Sequence, residues 1–427
     1  MVRRSDLETK VAIIGIGRVG LPLGLVLADR GCQVFGIDIN QDVVLKLQNG
    51  EMPFFEESGM ELLTKNLGVN FFPSTDISVV KECEYVILTL GTPVDPNMNP
   101  DYSQLDKALE LMFPVLHSGQ TIILRSTVAP GTTDWVVGKL EDEFKFKVGQ
   151  DVYLAFCPER IAEGKAIEEL ASIPQIIGGA DPQSTEKASE LFSLLGVECL
   201  STDCVSAELA KLFTNMYRYI NFAVANEFMI LAQQWDKEIN HVVHLVNHHY
   251  KRGGLALPGF SAGPCLFKDG FFLVNQLPFG ELISTSWKIN ESIPLFLVAG
   301  LKKEINLRNS KVVILGAAFK ADSDDSRQSL SYKVKNALLR ERANVILHDP
   351  YIEGLNSDLA LTLRGAEVVF VATNHTEYRR IGLVKLRELV GQDCWVSDIW
   401  NIFGTDEILF KLDGVLENIR KRTIVSA

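Results

Sequence analysis

Short apolar runs alternate with longer amphipathic segments through the first part of the chain. In "KVAIIGIGRVGLPLGLVLADRGCQVFGIDIN", an apolar run at 11–14 enters a glycine turn, a segment with apolar residues at helical spacing follows, and a second apolar run ends at Asp38. This order predicts a strand, a turn, a helix and a second strand. The same pattern predicts further elements downstream, namely strands at 85–90, 121–126 and 152–156 and a helix over 103–116. Such alternation is typical of a doubly wound parallel sheet.

The middle of the chain has a different pattern. From Ser206 to about Gln234 the sequence contains no glycine or proline and carries apolar residues at helical spacing. We therefore expect one long helix that joins two domains. A second helix is predicted over about 236–250, and a mixed region follows to about 308.

The last part of the chain repeats the opening layout. "KVVILGAAFK" and "ANVILHDP" again give a strand, a glycine turn, a helix and a strand before an acidic residue, and "AEVVFVAT" and "CWVSDIW" indicate further strands. The predicted fold class is α/β, with two Rossmann-like doubly wound domains joined by a long central helix. The predicted domains are 1–205, 206–308 and 309–427.

Composition narrows the classes of protein and partner. The chain has 427 residues, a length that favours two or three domains. Its formal net charge of -12 and pI of about 5.2 argue against nucleic acid or an anionic membrane as the main partner. The sequence contains no run of roughly 18 apolar residues, so no membrane helix is predicted, and "MVRRSDLETK" lacks the apolar core of a signal peptide. We therefore predict a cytoplasmic protein.

Neither the cysteines nor the histidines predict a disulfide framework or a metal site. The cysteines are scattered without paired spacing, as is typical of reduced thiols in a large chain: 32, 83, 157, 199, 204, 265 and 394. The histidines at 241, 244, 248 and 249 have no acidic partner at ligand spacing. A helix face is the favoured interpretation of these histidines, and no metal is predicted.

The turn "GIGRVG" places Gly15, Gly17 and Gly20 in a dinucleotide-binding pattern. The first glycine makes the turn, the second lets a pyrophosphate approach the backbone, and the third lets helix and strand pack closely. Asp38 follows about 20 residues later, where a carboxylate binds the ribose hydroxyls and repels a 2′-phosphate. The sequence therefore predicts NAD rather than NADP; the alternative is a turn that only packs.

The second turn, "GAAFK", keeps only its first glycine. Ala318 carries a methyl group where close backbone approach is needed, so no second dinucleotide is expected there. Lys320 suits a different anion, such as the diphosphate of a nucleotide sugar. A solvated surface lysine is the alternative.

Polar residues follow two of the predicted strands. Glu159 and Glu163 lie in "CPERIAEGKA", and Thr127 lies in "STVAPGTT", where it could orient a water molecule. The ends of strands are where sheets of this class place their chemistry, although charged residues there are often plain turn residues.

The predicted long helix carries Lys211, Asn215 and Arg218 at positions that share one face. Such a stripe is either solvated or directed into a polar cavity, and the sequence leaves both interpretations open.

Cys265 lies in the glycine-rich stretch "GFSAGPCLFKD". A thiolate attacks carbonyl carbon well, and Lys268 and Asp269 supply a cation and a carboxylate close by in sequence. The alternative is an inert core cysteine.

Together these segments resemble the UDP-glucose/GDP-mannose dehydrogenase family. The matching stretches run nearly end to end and share one order: "GIGRVGLPLG", "GTPVD", "STVAPGT", "CPERIAEG", "AELAKLFTNMYRYINFAVANE", "GFSAGPCLFKD" and "AFKADSDDSRQS". The resemblance implies that the C6 hydroxyl of a nucleotide-linked hexose is oxidised twice, to the uronic acid, with two NAD per turnover, in support of polysaccharide or glycoconjugate synthesis. It also implies an NAD-binding domain, a central dimerisation and catalytic region, a nucleotide-sugar-binding domain, and a homodimer or higher homo-oligomer.

The resemblance assigns catalytic roles residue by residue. Cys265 matches the nucleophile that forms a thiohemiacetal and then a thioester, Lys211 matches the lysine that stabilises the oxyanion, and Asn215 matches the asparagine beside it. Glu159 and Asp269 match carboxylates that activate or position the hydrolytic water.

Other matches concern water and ligand binding. Thr127 matches the threonine that holds the water. The remaining matches are Thr92, Glu163 and Arg327 on the cofactor side and Arg218, Arg252, Lys268 and Lys320 on the UDP-sugar side, with Arg252 donated across the dimer.

Three departures from the family pattern bear on the choice of sugar. Pro264 precedes the cysteine and removes a backbone donor, Phe267 replaces a common proline, and Trp400 stands where an arginine often binds substrate. "CPER" resembles the UDP-N-acetylhexosamine branch, which we favour, whereas the C-x-x-K-D ending resembles the UDP-glucose and GDP-mannose branches. UDP-glucose is the first alternative.

Two other functions stay open on the residues alone. A two-electron hydroxyacid dehydrogenase needs Lys211 but no cysteine. A non-catalytic protein that binds NAD or a nucleotide sugar is suggested by Pro264 and Trp400.

Overall fold

The computed structural model describes residues 9–97, 99–274 and 280–417. The chain forms two compact units: the described parts of residues 1–214 and 271–277 make the first, and those of 215–270 and 278–427 make the second. The chain therefore passes from one unit to the other more than once.

The first unit contains a sheet with strand order β3-β2-β1-β4-β5-β6-β7-β8. Its strands are β1 Lys10–Ile14, β2 Gln33–Ile37, β3 Phe71–Ser74, β4 Tyr85–Leu88, β5 Thr121–Leu124, β6 Tyr153–Phe156, β7 Gln175–Gly179 and β8 Cys199–Asp203. Neighbouring strands are parallel except for the antiparallel pair β6 and β7.

Helices cover both faces of this sheet. They are α1 Gly20–Asp29, α2 Gln41–Gln48, α3 Gly59–Asn66, α4 Ser103–Met112, α5 Thr132–Gly138, α6 Ala166–Leu170, α7 Pro182–Phe192 and the first part of α8 Cys204–Gln233. Along β1, Val11 and Ile13 belong to one buried cluster, and Ala12 and Ile14 belong to the cluster on the opposite face. Burial on both faces explains why this strand is a continuous apolar run.

The second unit repeats this architecture on a smaller scale, with strand order β10-β9-β11-β12-β13. Its strands are β9 Lys311–Leu315, β10 Asn344–His348, β11 Val368–Val371, β12 Trp395–Asp398 and the antiparallel β13 Leu409–Lys411. Further helices within the described ranges include α9 Ile239–Asn247, α10 Leu266–Val274, α11 Glu281–Glu304, α12 Ser331–Arg340, α13 Leu359–Leu363 and α14 Thr376–Leu389. Along β9, Val312 and Ile314 pack on one face, whereas Val313 and Leu315 pack on the other.

The predicted fold class is confirmed, including the long helix, which spans Cys204–Gln233. Several elements were not predicted, and two of them contain a proline. Helix α11 has Pro294 in its interior, and β3 has Pro73, which is tolerated because β3 is an edge strand.

Within the described ranges, no helix has both the length and the apolar character needed to span a membrane.

Candidate active site

The glycine turn of the first unit has the shape that a dinucleotide needs. Gly15 has a φ of +94°, and a Cβ atom there would lie 2.8 Å from the carbonyl oxygen of Thr89. A Cβ atom on Gly20 would lie 2.5 Å from the Thr89 hydroxyl oxygen. A Cβ atom on Gly17 would meet nothing within 4 Å. Gly15 and Gly20 are therefore required by packing, whereas the space over Gly17 is open to a ligand.

Asp38 lies at the end of β2 beside this turn. Its Oδ2 accepts a hydrogen bond from the Ile16 amide at 3.0 Å, and its Oδ1 accepts one from the Asn40 amide at 2.9 Å. The carboxylate is therefore held in a fixed position and remains half-exposed. The open turn, the amino end of α1 and this carboxylate fit the pyrophosphate and ribose of NAD.

Three predicted site residues follow the adjacent parallel strands β4, β5 and β6. Thr92, Thr127 and Glu159 lie beyond the carboxyl ends of these strands and therefore at one edge of the sheet. The Thr92 hydroxyl donates to the Thr127 carbonyl oxygen at 2.5 Å. The structure thus brings the first two residues into contact.

Glu159 is buried in an ion pair that sequence reasoning missed. Its Oε2 lies 3.0 Å from Nε and 2.6 Å from Nη2 of Arg125, and its Oε1 accepts the Ile161 amide at 2.5 Å. Arg125 is itself buried and also donates to the Cys157 carbonyl and to Oε1 of Gln175. Both carboxylate oxygens of Glu159 are therefore engaged. The signal in the sequence was an arginine directly after the apolar run of β5.

Glu163 lies in a loop that other carboxylates hold in place. The buried Glu56 accepts the amides of Gly164 at 2.9 Å and Ile167 at 3.1 Å. The Glu163 carboxylate lies 3.9 Å from Nε of Arg18, which belongs to the glycine turn. This contact places Glu163 beside the predicted cofactor site.

The polar stripe on α8 is buried over most of its length. Lys211 is 8% exposed and Asn215 is 6% exposed, whereas Arg218 is exposed. Two of the three side chains are therefore largely withdrawn from solvent, which favours the cavity interpretation over the solvated one.

Glu208, one helical turn before Lys211, is a further buried carboxylate that sequence reasoning missed. It is 0% exposed and accepts hydrogen bonds from the Gly131 amide, the Thr133 amide and the Thr133 hydroxyl. Burial raises the pKa of Glu208, and these hydrogen bonds oppose part of that rise.

Cys265 differs from the other cysteines in its exposure. It is exposed and directly precedes α10, and its carbonyl accepts the amides of Lys268 and Asp269. The thiol therefore lies at the amino end of a nine-residue helix, where the helix dipole stabilises an anionic sulfur. Burial raises the pKa of the other thiols, to about 11 for Cys32 and to about 12 for Cys83, Cys204 and Cys394.

Asp269 joins two other predicted site residues. It is completely buried, its Oδ2 accepts from Nδ2 of Asn215 at 2.6 Å, and its Oδ1 lies 3.1 Å from Nζ of Lys268. The structure therefore places Asn215, Lys268 and Asp269 in one hydrogen-bonded cluster.

The segment before Cys265 packs against two aromatic rings. A Cβ atom on Gly259 would lie 2.5 Å from the Trp400 ring, and one on Gly263 would lie 2.5 Å from the Phe319 ring. The amide and carbonyl of Gly259 are both hydrogen-bonded to Asn226. Trp400 therefore supports this loop, and its Nε1 donates to the Ala372 carbonyl. The side chain of Phe267 lies outside the described residues.

The remaining predicted binding residues are spread over the second unit. Lys320 is half-buried after the second glycine turn. Arg327 is exposed and donates to both carboxylate oxygens of Asp325. Arg252 is exposed, with its guanidinium carbon 5.2 Å from the centre of the Tyr250 ring.

The second glycine turn uses its acidic residue internally. Asp349 is completely buried, and its Oδ2 accepts from the amides of Ala317 and Ala318 and from Nε2 of His375. Burial alone would raise the pKa of Asp349. The hydrogen bonds from His375 and from the backbone amides outweigh that effect, so the net pKa is lowered. In the first unit the corresponding carboxylate is that of Asp38, which is placed to face a ribose. In the second unit the carboxylate of Asp349 is instead engaged by these three donors.

No group of three or more histidine, cysteine or acidic side chains that could hold a metal ion occurs within the described part of the chain.

Comparison with known proteins identifies the family of the chain. Three models of the UDP-glucose/GDP-mannose dehydrogenase family match: the NAD binding domain over 9–195, the central domain over 205–291 and the UDP binding domain over 313–405. The chain belongs to the UDP-glucose/GDP-mannose dehydrogenase family. The predicted family, enzyme class and NAD cofactor are thus confirmed.

Similar members of the UDP-glucose/GDP-mannose dehydrogenase family include the UDP-N-acetyl-D-mannosamine dehydrogenase of Methanocaldococcus jannaschii, which is 32% identical over 92% of this chain and 91% of its own length. That of Campylobacter jejuni is 32% identical over 86% of this chain and 96% of its own length. A solved structure of the UDP-N-acetyl-mannosamine dehydrogenase of Staphylococcus aureus has a TM-score of 0.83 at 30% identity and covers 92% of this chain and 95% of that one.

Proposed function

We propose that the protein oxidises the C6 hydroxyl of UDP-N-acetyl-D-mannosamine to the uronic acid in two successive two-electron steps. The observation that carries this proposal is that the thiol of Cys265 is exposed at the amino end of α10 in a chain of this family. The names of the similar relatives support the choice of sugar.

The proposed chemistry assigns a covalent role to Cys265. After the first oxidation the thiolate adds to the C6 aldehyde carbon, a carbon–sulfur bond forms, and the oxygen is protonated to give a thiohemiacetal. Removal of hydride from that carbon and of the hydroxyl proton gives a thioester. Water then adds, the carbon–sulfur bond breaks, and the acid and the thiolate are released. NAD, when bound, accepts one hydride in each oxidation.

The other predicted residues stabilise charge and position water. Lys211 donates to the oxygen that gains negative charge, which is often the largest catalytic contribution. Asn215 orients Asp269 through their hydrogen bond of 2.6 Å, and Asp269 positions water. Thr127 holds the hydrolytic water, and Glu159, paired with Arg125, orders the edge of the sheet beside it.

The remaining groups bind the two ligands. Gly15, Gly17, Gly20 and Asp38 hold NAD, with further contacts from Thr92, Glu163 and Arg327, and the UDP-sugar is held by Arg218, Arg252, Lys268 and Lys320. The half-buried Lys320 supplies the cation for the diphosphate.

The test is a panel of nucleotide sugars with NADH counted at the end point. We expect two NADH per UDP-N-acetyl-D-mannosamine and little turnover of UDP-N-acetylglucosamine, UDP-glucose or GDP-mannose. Cys265→Ser removes acid formation, whereas the matched control Cys199→Ser retains it. If UDP-glucose is the one sugar of the panel that yields two NADH, then UDP-glucose, the alternative, is the substrate. One NADH per sugar, or acid formation by Cys265→Ser, would refute the covalent route.

We also propose that the protein is a homodimer that is assembled through α8 and resides in the cytoplasm. The helix carries large apolar side chains along one stripe, among them Tyr217 at 71% exposed, Phe228 at 43% and Leu231 at 47%, and Trp235, at 78% exposed, lies in the turn just after its end. We expect light scattering to give twice the chain mass, and Leu231→Glu with Trp235→Glu to give the monomer mass. A monomeric wild-type protein would contradict this proposal.

A further inference from the structure

Glu208 is a buried ionisable side chain without a part in the chemistry above. We infer that Glu208 is a positioning residue that fixes the loop over 126–131, which carries Thr127, and the start of α5 against the turn of α8 that carries Lys211. This inference rests on the proposed function, because it assigns Glu208 to the geometry of the same site.

The geometry of the carboxylate supports the inference. Oε2 accepts the Gly131 amide at 2.7 Å, and Oε1 accepts the Thr133 amide at 2.9 Å and the Thr133 hydroxyl at 2.6 Å. Gly131 has a φ of +88° and directly precedes α5. Both oxygens of Glu208 therefore bind the point where the loop turns into a helix.

The same loop is anchored from the strand side by other residues. The Thr92 hydroxyl donates to the Thr127 carbonyl at 2.5 Å, and the Ala129 amide donates to the Tyr102 hydroxyl at 3.1 Å. The hydroxyls of Tyr102 and Thr132 lie 2.8 Å apart. Glu208 adds an anchor from α8, so the loop is held at both ends.

Glu208 and Lys211 lie three positions apart on α8 and therefore share a face. Lys211 is only 8% exposed, so this face of the helix is a buried one. An anchor at Glu208 consequently fixes the distance between the Thr127 loop and the turn that carries the Lys211 ammonium group. In the proposed mechanism these two groups act on the water and on the charged oxygen.

The cost of burying a carboxylate indicates that its placement matters. A buried charge is tolerated only when its hydrogen bonds are satisfied, and here both oxygens are satisfied. An apolar side chain at this position would leave the amides of Gly131 and Thr133 without Glu208 as acceptor. The contact is therefore specific in direction, unlike apolar packing.

Glu208→Gln tests the inference because it keeps the shape of the side chain. The amide oxygen can still accept from Thr133, but the amide NH₂ would face the Gly131 N–H, so that anchor is lost. We expect kcat to fall about tenfold or more while both KM values stay within about twofold. Because the hydrolytic step depends on Thr127, we also expect a thioester on Cys265 to accumulate, detected by intact mass after quenching.

Two matched comparisons separate positioning from general stability. Glu227→Gln changes an exposed glutamate of the same helix, and we expect it to leave kcat unchanged. Thr133→Val removes one donor to Glu208 and should lower kcat, whereas Thr133→Ser keeps the hydroxyl and should rescue it. In the double variant Glu208→Gln with Thr133→Val, kcat should fall by less than the product of the two fold-reductions measured for the single variants.

The outcomes are decisive in both directions. A Glu208→Gln enzyme with the kcat of the Glu227→Gln control, or one that loses thermal stability without thioester accumulation, would overturn the inference. If the wild-type protein oxidises none of the sugars, the proposed function fails, and hydrogen exchange decides the positioning role separately. In that case faster exchange of the Gly131 amide in Glu208→Gln supports the anchor, and unchanged exchange of that amide refutes it.

Discussion

Burial separates side chains of one type into different chemical roles in this protein. Asp398 is completely buried at the end of β12, whereas Asp38, which follows β2 in the first unit, is half-exposed. Burial raises the pKa of Asp398 to about 6, and the backbone amide of Phe403 opposes part of that rise. The folded chain therefore binds this proton more tightly than the unfolded chain does.

This raised pKa predicts a pH dependence of stability. Because the folded pKa of Asp398 lies above the unfolded value of 3.8, the stability that it contributes at low pH is lost as the pH rises from about 4 to about 6. Asp398→Asn should remove this loss, worth roughly 2–3 kcal/mol. The measurement is the difference in Tm between wild type and variant at pH 4.5 and at pH 7. A difference that is equal at both pH values would contradict the assignment.

The pair of Arg125 and Glu159 predicts a second residue-level effect. Arg125→Met leaves the Glu159 carboxylate buried without its guanidinium, which costs about 3–5 kcal/mol and lowers Tm. Arg125→Met combined with Glu159→Gln should recover part of this loss. Arg380→Met, on the surface, is the control. If the single variant melts at the wild-type temperature, the ion pair does not hold this edge of the sheet.

At the scale of elements, the segment before Cys265 is set by close packing. Gly259→Ala would drive a methyl group into the Trp400 ring, so we expect lower Tm and lower kcat as the Cys265 loop shifts. Trp400→Ala in the same chain should restore part of the activity. Gly138→Ala, where a Cβ atom meets nothing within 4 Å, is the control and should leave both quantities unchanged. Equal effects of both alanines would argue against the contact.

The elements differ in how far local sequence specifies them. Strands such as β1 and β9 were predictable because both faces are buried, which gives continuous apolar runs. The first glycine turn was predictable because its three glycines and Asp38 occur at a recognisable spacing in the sequence. The anchors of the site were not, because Arg125 lies 34 residues from Glu159, and Glu208 lies 75 residues from Thr133. Such pairs can be identified only when the strand order and the helix placement are known.

At the scale of the whole molecule, the two similar sheets predict a single dinucleotide site per chain. The carboxylate of Asp38 is half-exposed, whereas that of Asp349 is occupied by Ala317, Ala318 and His375. Titration calorimetry should give one NAD per chain. Asp38→Asn should weaken NAD binding about tenfold, or 1.4 kcal/mol, whereas Asp349→Asn should lower Tm and leave NAD affinity unchanged. Two NAD per chain would contradict this difference between the turns.

The route of the chain between its units also limits how the gene can change. The first unit takes the described residues of 1–214 and then a short second segment that begins at Phe271, after the chain has contributed 215–270 to the second unit. A single recombination crossover therefore cannot exchange one complete unit for that of a distant relative. A complete unit can be exchanged only by more than one crossover, so the two units tend to be inherited together.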